Sequence, residues 1–322
     1  MQAALDIIGN DLCLVEEQFR KDLESDVPLI RKVGEYVLAS GGKRIRPAML
    51  LLAARLCNYT GDQAIPLASV VEFIHTATLL HDDVVDSASL RRGQASANSL
   101  WGNEASVLIG DFLFSKSFSL MVAAGSLDVL RVMSRATTVI AEGEVMQLLY
   151  TGELDLQEEQ YIEVVKAKTA VLLSAACQCG ALLGKVSQEQ EQAMAQFGME
   201  LGIAFQLMDD TLDYVASEEE FGKSIGHDLE EGKMTLPLIH TVRSCTPDER
   251  ARIAQVVAQD ELSVEDFAAV SALVKQYGGI EYTVEKARQS VAACTRHLSC
   301  FPDGDCKKAL IELADYVVTR NR

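Results

Sequence analysis

The chain has 322 residues, 48% of them apolar, and its 47 acidic and 29 basic residues leave a net charge of −18. That balance argues against a nucleic-acid partner and a generic anionic-lipid surface, because both would repel it. Any phosphate-bearing ligand needs positive charge gathered locally. With 6 prolines and no stretch rich in Gly, Ser or Pro, no linker is legible, and a single domain over residues 1–322 is expected.

The opening segment, MQAALDIIGNDLCLVEEQFRKDLE, has no basic stretch ahead of an apolar core. It reads as an amphipathic helix, not a signal peptide. Gly41-Gly42 breaks the pattern just before Lys43-Arg44-Ile45-Arg46-Pro47, and a second break falls at 58–62. Residues 66–86 read as a helix that ends in Asp82-Asp83-Val84-Val85-Asp86. A break over 91–97 begins with Arg91-Arg92-Gly93, and 103–124 is helical again. After a break at 151–156, helical spacing returns with Ile162, Val165, Thr169, Leu172, Leu173 and Ala176. A later helix carries Gln206 and Asp209-Asp210-Thr211-Leu212-Asp213. It gives way to a polar loop over 217–232 that holds Lys223, with Lys233 just beyond. A polar loop of such length in a compact domain is usually functional or disordered.

Apolar residues recur at three- and four-residue spacing nearly throughout, and strict alternation is scarce, so the fold class is all-α. Helices 66–86, 103–124 and 170–184 are apolar on more than one side, which assigns them to the centre of a bundle. No uninterrupted apolar run is long enough to span a bilayer, so no spanning helix is expected. The 8 cysteines show no CxxC spacing and no histidine pattern that looks like a zinc site. They read as thiols of a reducing cytoplasm.

The two aspartate clusters place carboxylates at i, i+1 and i+4, so two of the three share a helix face one turn apart. Like charges at that spacing repel, and a bridging cation reverses the sign. Hard oxygen donors that leave coordination positions open suit Mg²⁺, which keeps waters and takes phosphate oxygens from substrate. Six carboxylates exceed what one ion needs, so two or three ions with a diphosphate ligand would balance the charge. Thr78 and His75 lie one and two turns before the first cluster, above the apolar or small Phe73, Ile74 and Ala77. A metal site over an apolar shaft suits an amphiphile with a charged head and a hydrocarbon tail. Lys43, Arg46, Arg91, Arg92, Lys168, Lys223 and Lys233 supply cations suited to diphosphate oxygens.

These segments together resemble the trans-isoprenyl diphosphate synthase family, within it the long-chain polyprenyl (octaprenyl-type) members. The resemblance rests on GGKRIRP, EFIHTATLLHDDVVDSASLRRG, GEVMQL, the Lys168-Thr169 pair, and FQLMDDTLDY followed by GKSIGHDLEEGKMTLP. It implies an isoprenoid synthase-type helical bundle around a deep central cavity, usually as a homodimer. It implies that Asp82, Asp83, Asp86, Asp209, Asp210 and Asp213 hold Mg²⁺ ions on the allylic diphosphate. Arg91, Lys168, Thr169, Gln206, Lys223 and Lys233 would contact that diphosphate or its metals. Lys43, Arg46, His75 and Arg92 would bind the diphosphate of isopentenyl diphosphate. The implied activity elongates an allylic diphosphate, farnesyl diphosphate being the expected primer, to a long all-trans octaprenyl chain for ubiquinone or menaquinone. Peripheral membrane contact would serve product release.

Family members with short products place a large aromatic four or five residues before the first cluster. Thr78 and Ala77 occupy those positions, so growth should continue to a deeper floor, for which Phe73 and Met121 are the candidates. Three other functions compete. A geranylgeranyl synthase is disfavoured by Ala77 and Thr78. A terpene cyclase would lack Lys43, Arg46 and Arg92. An inactive partner subunit would have lost acidic motifs that are intact here.

Overall fold

The computed structural model describes residues 2–215, 226–259 and 261–319. Four helices come first: α1 (Gln2–Asp22), α2 (Pro28–Ala39), α3 (Ile45–Leu56) and α4 (Ala64–Val85). A two-residue hairpin follows, β1 (Leu90–Arg91) and β2 (Gln94–Ala95), then α5 (Ala97–Trp101), α6 (Asn103–Ala124) and α7 (Leu127–Tyr150). Next come α8 (Glu158–Val165), a π-helical turn (Lys166–Ala170), α9 (Val171–Gly184) and α10 (Gln188–Val215). The described remainder holds α11 (His227–Glu230), α12 (Leu236–Ser244), α13 (Pro247–Val257), α14 (Val264–Gln276), α15 (Gly279–His297) and α16 (Asp305–Thr319). The all-α expectation holds, with the hairpin as the one exception among the described residues.

Local chemistry sets many of the helix ends. α2, α12 and α13 start with proline in the first turn, where the missing N–H costs nothing. Thr246 and Glu249 close a capping box on α13, and Ser263 accepts from the Asp266 N–H on α14. α6 stops at Gly125, whose φ of 72° is left-handed.

The chain divides into two compact units. The first comprises residues 1–137, 172–198 and 297–313. Within it α4 packs against α6, α3 and α1. Its core gathers Phe19, Leu23, Val33, Leu38, Phe73, Ala77, Leu80, Ile109 and Leu113. The Phe19 and Phe73 rings meet with centroids 4.2 Å apart. Each is fully buried, which contributes roughly 1.5–3 kcal/mol apiece.

The second unit comprises residues 138–171, 199–296 and 314–322. Here the π-helical turn lies between two glycines. A Cβ on Gly143 of α7 would stand 2.7 Å from Ala167 Cβ, and one on Gly202 of α10 would stand 2.7 Å from Ala170 Cβ. Only glycine permits both helices to approach that closely. A run of α-helical hydrogen bonds gains one residue at this point, a feature often found at functional sites.

Two expectations need correction. Helix α6 is not a central helix: only 28% of its most apolar stretch is buried, against 67% for α4. Leu108 and Val122 on α6 are 67% and 64% exposed. Being apolar all round marks a core helix and an uncovered apolar face alike. Moreover, α4, α6 and the α8–α9 rod are each long and apolar enough to cross a membrane by length and composition. Scattered polar residues hide this from a search for uninterrupted runs. In α4 and the α8–α9 rod more than half of that stretch is buried in the fold.

Candidate active site

The first aspartate cluster stands at the C-terminal end of α4, with Asp86 as the capping residue. The second lies in the last two turns of α10. Both are the wrong end of a helix for anions, since the macrodipole there is negative. A favourable N-terminal capping role is thereby excluded for either cluster, and bound cations would relieve the repulsion.

In the first unit Asp83 is the buried member, 3% exposed. It accepts from Arg91 Nε at 2.7 Å, while Asn98 donates to its backbone carbonyl at 3.0 Å. Burial pushes the Asp83 carboxyl up, Arg91 opposes this, and Asp86 adds to it. The hairpin delivers Arg91. Its two loop residues, Arg92 and Gly93, both have positive φ (53° and 76°), which matches the twist of a two-residue connection. Arg92 donates to the Gly41 carbonyl. A Cβ on Gly42 would stand 2.7 Å from Arg92 Nη1, so the glycine pair makes room for that guanidinium.

Arg44, between the two expected ligand-binding cations, has a different task. It pairs with buried Glu72 at 2.7 Å and with Glu16 at 3.3 Å, and donates to the Leu38 carbonyl at 2.8 Å. These contacts join α1, α2 and α4 to the start of α3 and leave Lys43 exposed beside them. Arg46 Nη1 lies 3.0 Å from His75 Nε2. Burial first, then Arg46, Arg92, Arg91 and Arg44, hold the His75 pKa well below its ordinary value. The imidazole is therefore neutral. Since a guanidinium only donates, Nε2 accepts and Nδ1 carries the proton.

Thr78 is half-buried, and its hydroxyl donates to the His75 carbonyl at 2.8 Å. Ala77 and Phe73 belong to the buried core cluster with α1, α2 and α6, and Met121 is 1% exposed.

In the second unit the key residue is Asp210, also 3% exposed. Its Oδ1 accepts from Gln206 Nε2 at 2.7 Å, and its Oδ2 accepts from the Tyr161 hydroxyl. Gln206 Oε1 in turn accepts from Thr169 Oγ1 at 2.7 Å. Burial, with Asp209 and Asp213 adding to it, pushes the Asp210 carboxyl from 3.8 to about 7, despite the two donors. Asp213 accepts from the Gly226 and Asp228 N–H groups at 2.8 and 3.1 Å. Lys168 pairs with Glu144 at 2.6 Å, and Lys233 pairs with Glu231. Lys223 lies outside the described residues.

Three side chains here were not anticipated: Tyr161, Glu144 and Asp228. Burial and the nearby Asp210 and Asp213 charges push the Asp228 carboxyl well above its ordinary value. Glu144, inside GEVMQL, and Asp228, inside GKSIGHDLEEGKMTLP, lie in segments that carry the family resemblance, and neither has a task assigned by it; Tyr161 lies in none of them.

The family model for polyprenyl synthetases matches residues 27–274. The chain is 43% identical over 317 residues to the octaprenyl diphosphate synthase of Escherichia coli, covering 98% of each. The chain belongs to the polyprenyl synthetase family. It is accordingly a trans-prenyltransferase with the isoprenoid synthase helical fold. Among solved members of the family, a polyprenyl synthase from Caulobacter crescentus superimposes with a TM-score of 0.95 at 40% identity, over 100% of this chain and 98% of that one. That structure is a complex with calcium and isoprenyl diphosphate. A decaprenyl diphosphate synthase from Rhodobacter capsulatus gives 0.94 at 41% identity, over 99% and 98%.

The donor set fits a divalent cation. It consists of carboxylates, it includes buried ones with raised affinity for protons, and it sits where helix dipoles disfavour anions. Among the described residues no three or more His, Cys, Asp or Glu side chains are grouped so that they could hold an ion. An ion held by one or two carboxylates and by substrate oxygens needs no such group.

Proposed function

We propose that this polyprenyl synthetase elongates an allylic diphosphate, farnesyl diphosphate serving as primer, with successive isopentenyl units to an all-trans octaprenyl diphosphate. The full-length identity to an octaprenyl synthase carries this reading, and the small Ala77 and Thr78 agree with it. One continuous family match across both compact units supports action as a single domain.

The assignments follow chemistry. Asp82, Asp83, Asp86, Asp209, Asp210 and Asp213 would hold the Mg²⁺ that serves the allylic diphosphate. Two or three such ions would supply Lewis-acid charge to the diphosphate. Arg91, Lys168, Thr169, Gln206, Lys223 and Lys233 hold the same diphosphate. Lys168 exchanges its Glu144 partner for phosphate oxygens. Lys43, Arg46, His75 and Arg92 hold isopentenyl diphosphate, with neutral His75 orienting the Arg46 fork instead of adding charge.

These donors stabilise the departing diphosphate, and an allylic carbocation forms. The isopentenyl double bond attacks C1 of that cation. Loss of a proton, with the released diphosphate as base, completes the step without a side-chain nucleophile.

The exposed apolar face of α6 supports a homodimer covering Leu108 and Val122. The described residues include all 8 cysteines and hold no disulfide, in keeping with a cytoplasmic enzyme. Peripheral membrane contact for release of so apolar a product, and its use as a quinone side chain, complete the proposal.

The test is diphosphate release by purified protein given Mg²⁺, isopentenyl diphosphate and farnesyl diphosphate. Release is expected, with none after chelation. A chain inert alone but active when mixed with a second subunit would be the partner of a heteromeric synthase instead.

A further inference from the structure

We infer that Tyr161 is a positioning residue for the second aspartate cluster, its hydroxyl and the Gln206 amide together fixing the Asp210 carboxylate in one orientation. This rests on the reading of that cluster as a metal–diphosphate site.

The geometry is specific. Tyr161 is 5% exposed, so its O–H has no water to turn to, and Asp210 Oδ2 takes it. Gln206 Nε2 occupies the other oxygen at 2.7 Å. Two donors on two different oxygens prevent the carboxylate from rotating. One lone-pair direction on each oxygen remains for a further ligand.

Both donors trace back to the same rod. Tyr161 lies on α8, just ahead of the π-helical turn. Gln206 is itself held by Thr169, which lies within that turn, at 2.7 Å. Contacts at Gly143 and Gly202 hold the turn on two sides. The chain of hydrogen bonds from Tyr161 through Asp210 and Gln206 to Thr169, with both ends on the one rod, therefore sets the register of Lys168 and Thr169 against the end of α10. Satisfaction of one buried phenol would need only one acceptor. A chain of hydrogen bonds through three proposed ligand-binding residues, anchored at both ends on one rod, is what a positioning role requires.

The test compares wild type, Tyr161→Phe and Tyr282→Phe. Tyr282 donates to Glu158 at 2.6 Å in the same unit and touches none of the site residues, so it controls for loss of a phenol–carboxylate bond as such. Two quantities are read: Mn²⁺ affinity by electron paramagnetic resonance in the presence of inorganic diphosphate, and steady-state kinetics with Mg²⁺. Tyr161→Phe should weaken Mn²⁺ binding and lower kcat by about 10-fold to 100-fold, the usual cost of removing a residue that orients a metal ligand. Its KM for isopentenyl diphosphate should stay at the wild-type value, and Tyr282→Phe should match wild type in every readout. Gln206→Leu, which removes the other donor, should weaken Mn²⁺ binding to a similar degree and serves if Tyr161→Phe fails to fold. Wild-type Mn²⁺ affinity and kcat in the folded variants would overturn the inference, as would equal losses in Tyr282→Phe. Wild-type protein that binds no Mn²⁺ would instead sink the metal–diphosphate reading itself.

Discussion

Arg46 and His75 act as a pair: a guanidinium whose fork is aimed by a neutral ring. Replacing Arg46 with Gln should raise KM for isopentenyl diphosphate by about 10-fold to 100-fold, equivalent to a charge-assisted hydrogen bond worth roughly 1.5–3 kcal/mol. The KM for the allylic substrate should not move, and a change there instead would assign Arg46 to the other diphosphate. Asp210 makes a prediction in pH. Its folded pKa of about 7 exceeds its ordinary 3.8, so the folded state binds the extra proton between those values. Stability from this group is present below about pH 4 and is lost as pH rises to about 7. Metal-free wild type, measured against Asp210→Asn by calorimetry, should therefore lose Tm across that window. A difference that stays flat or grows would show that Asp210 is not held protonated. At this scale the aspartates were legible because their spacing is local. Tyr161 was not, because its partner lies 49 residues away and only the fold joins them.

The π-helical turn and its two glycine contacts govern the element scale. Apolar spacing runs through 162–176 without interruption, so nothing in the periodicity shows that the hydrogen-bond pattern widens at 166–170. The glycines were equally silent, since close approach is a property of two helices, not of one sequence. Gly202→Ala should cost about 1–3 kcal/mol, because its new Cβ would meet the Ala170 backbone, which cannot swing aside as a side-chain tip would. Equilibrium urea unfolding checks this, and an unchanged midpoint would mean that α10 and the turn are less closely held. α6 shows the opposite limit: its apolar character was read correctly and its location was not. A sequence cannot tell an apolar face destined for the chain's own core from one left for a second copy. The double variant Leu108→Glu/Val122→Glu should shift sedimentation from dimer to monomer if α6 is the dimer face.

At the scale of the whole molecule, the all-α class and the family were both legible: helical spacing gave the first, and an ordered set of acidic and basic motifs gave the second. The depth of the product tunnel was not. Phe73 and Ala77 turn out to lie in a buried cluster with Phe19 and Leu113, so floor and core draw on the same residue types. On the proposed function, chain growth runs past the geranylgeranyl stage. The product-length distribution from labelled isopentenyl diphosphate with farnesyl diphosphate and Mg²⁺ tests it most directly. A distribution peaking at all-trans octaprenyl diphosphate is the expected result, and one that stops at geranylgeranyl diphosphate would contradict it.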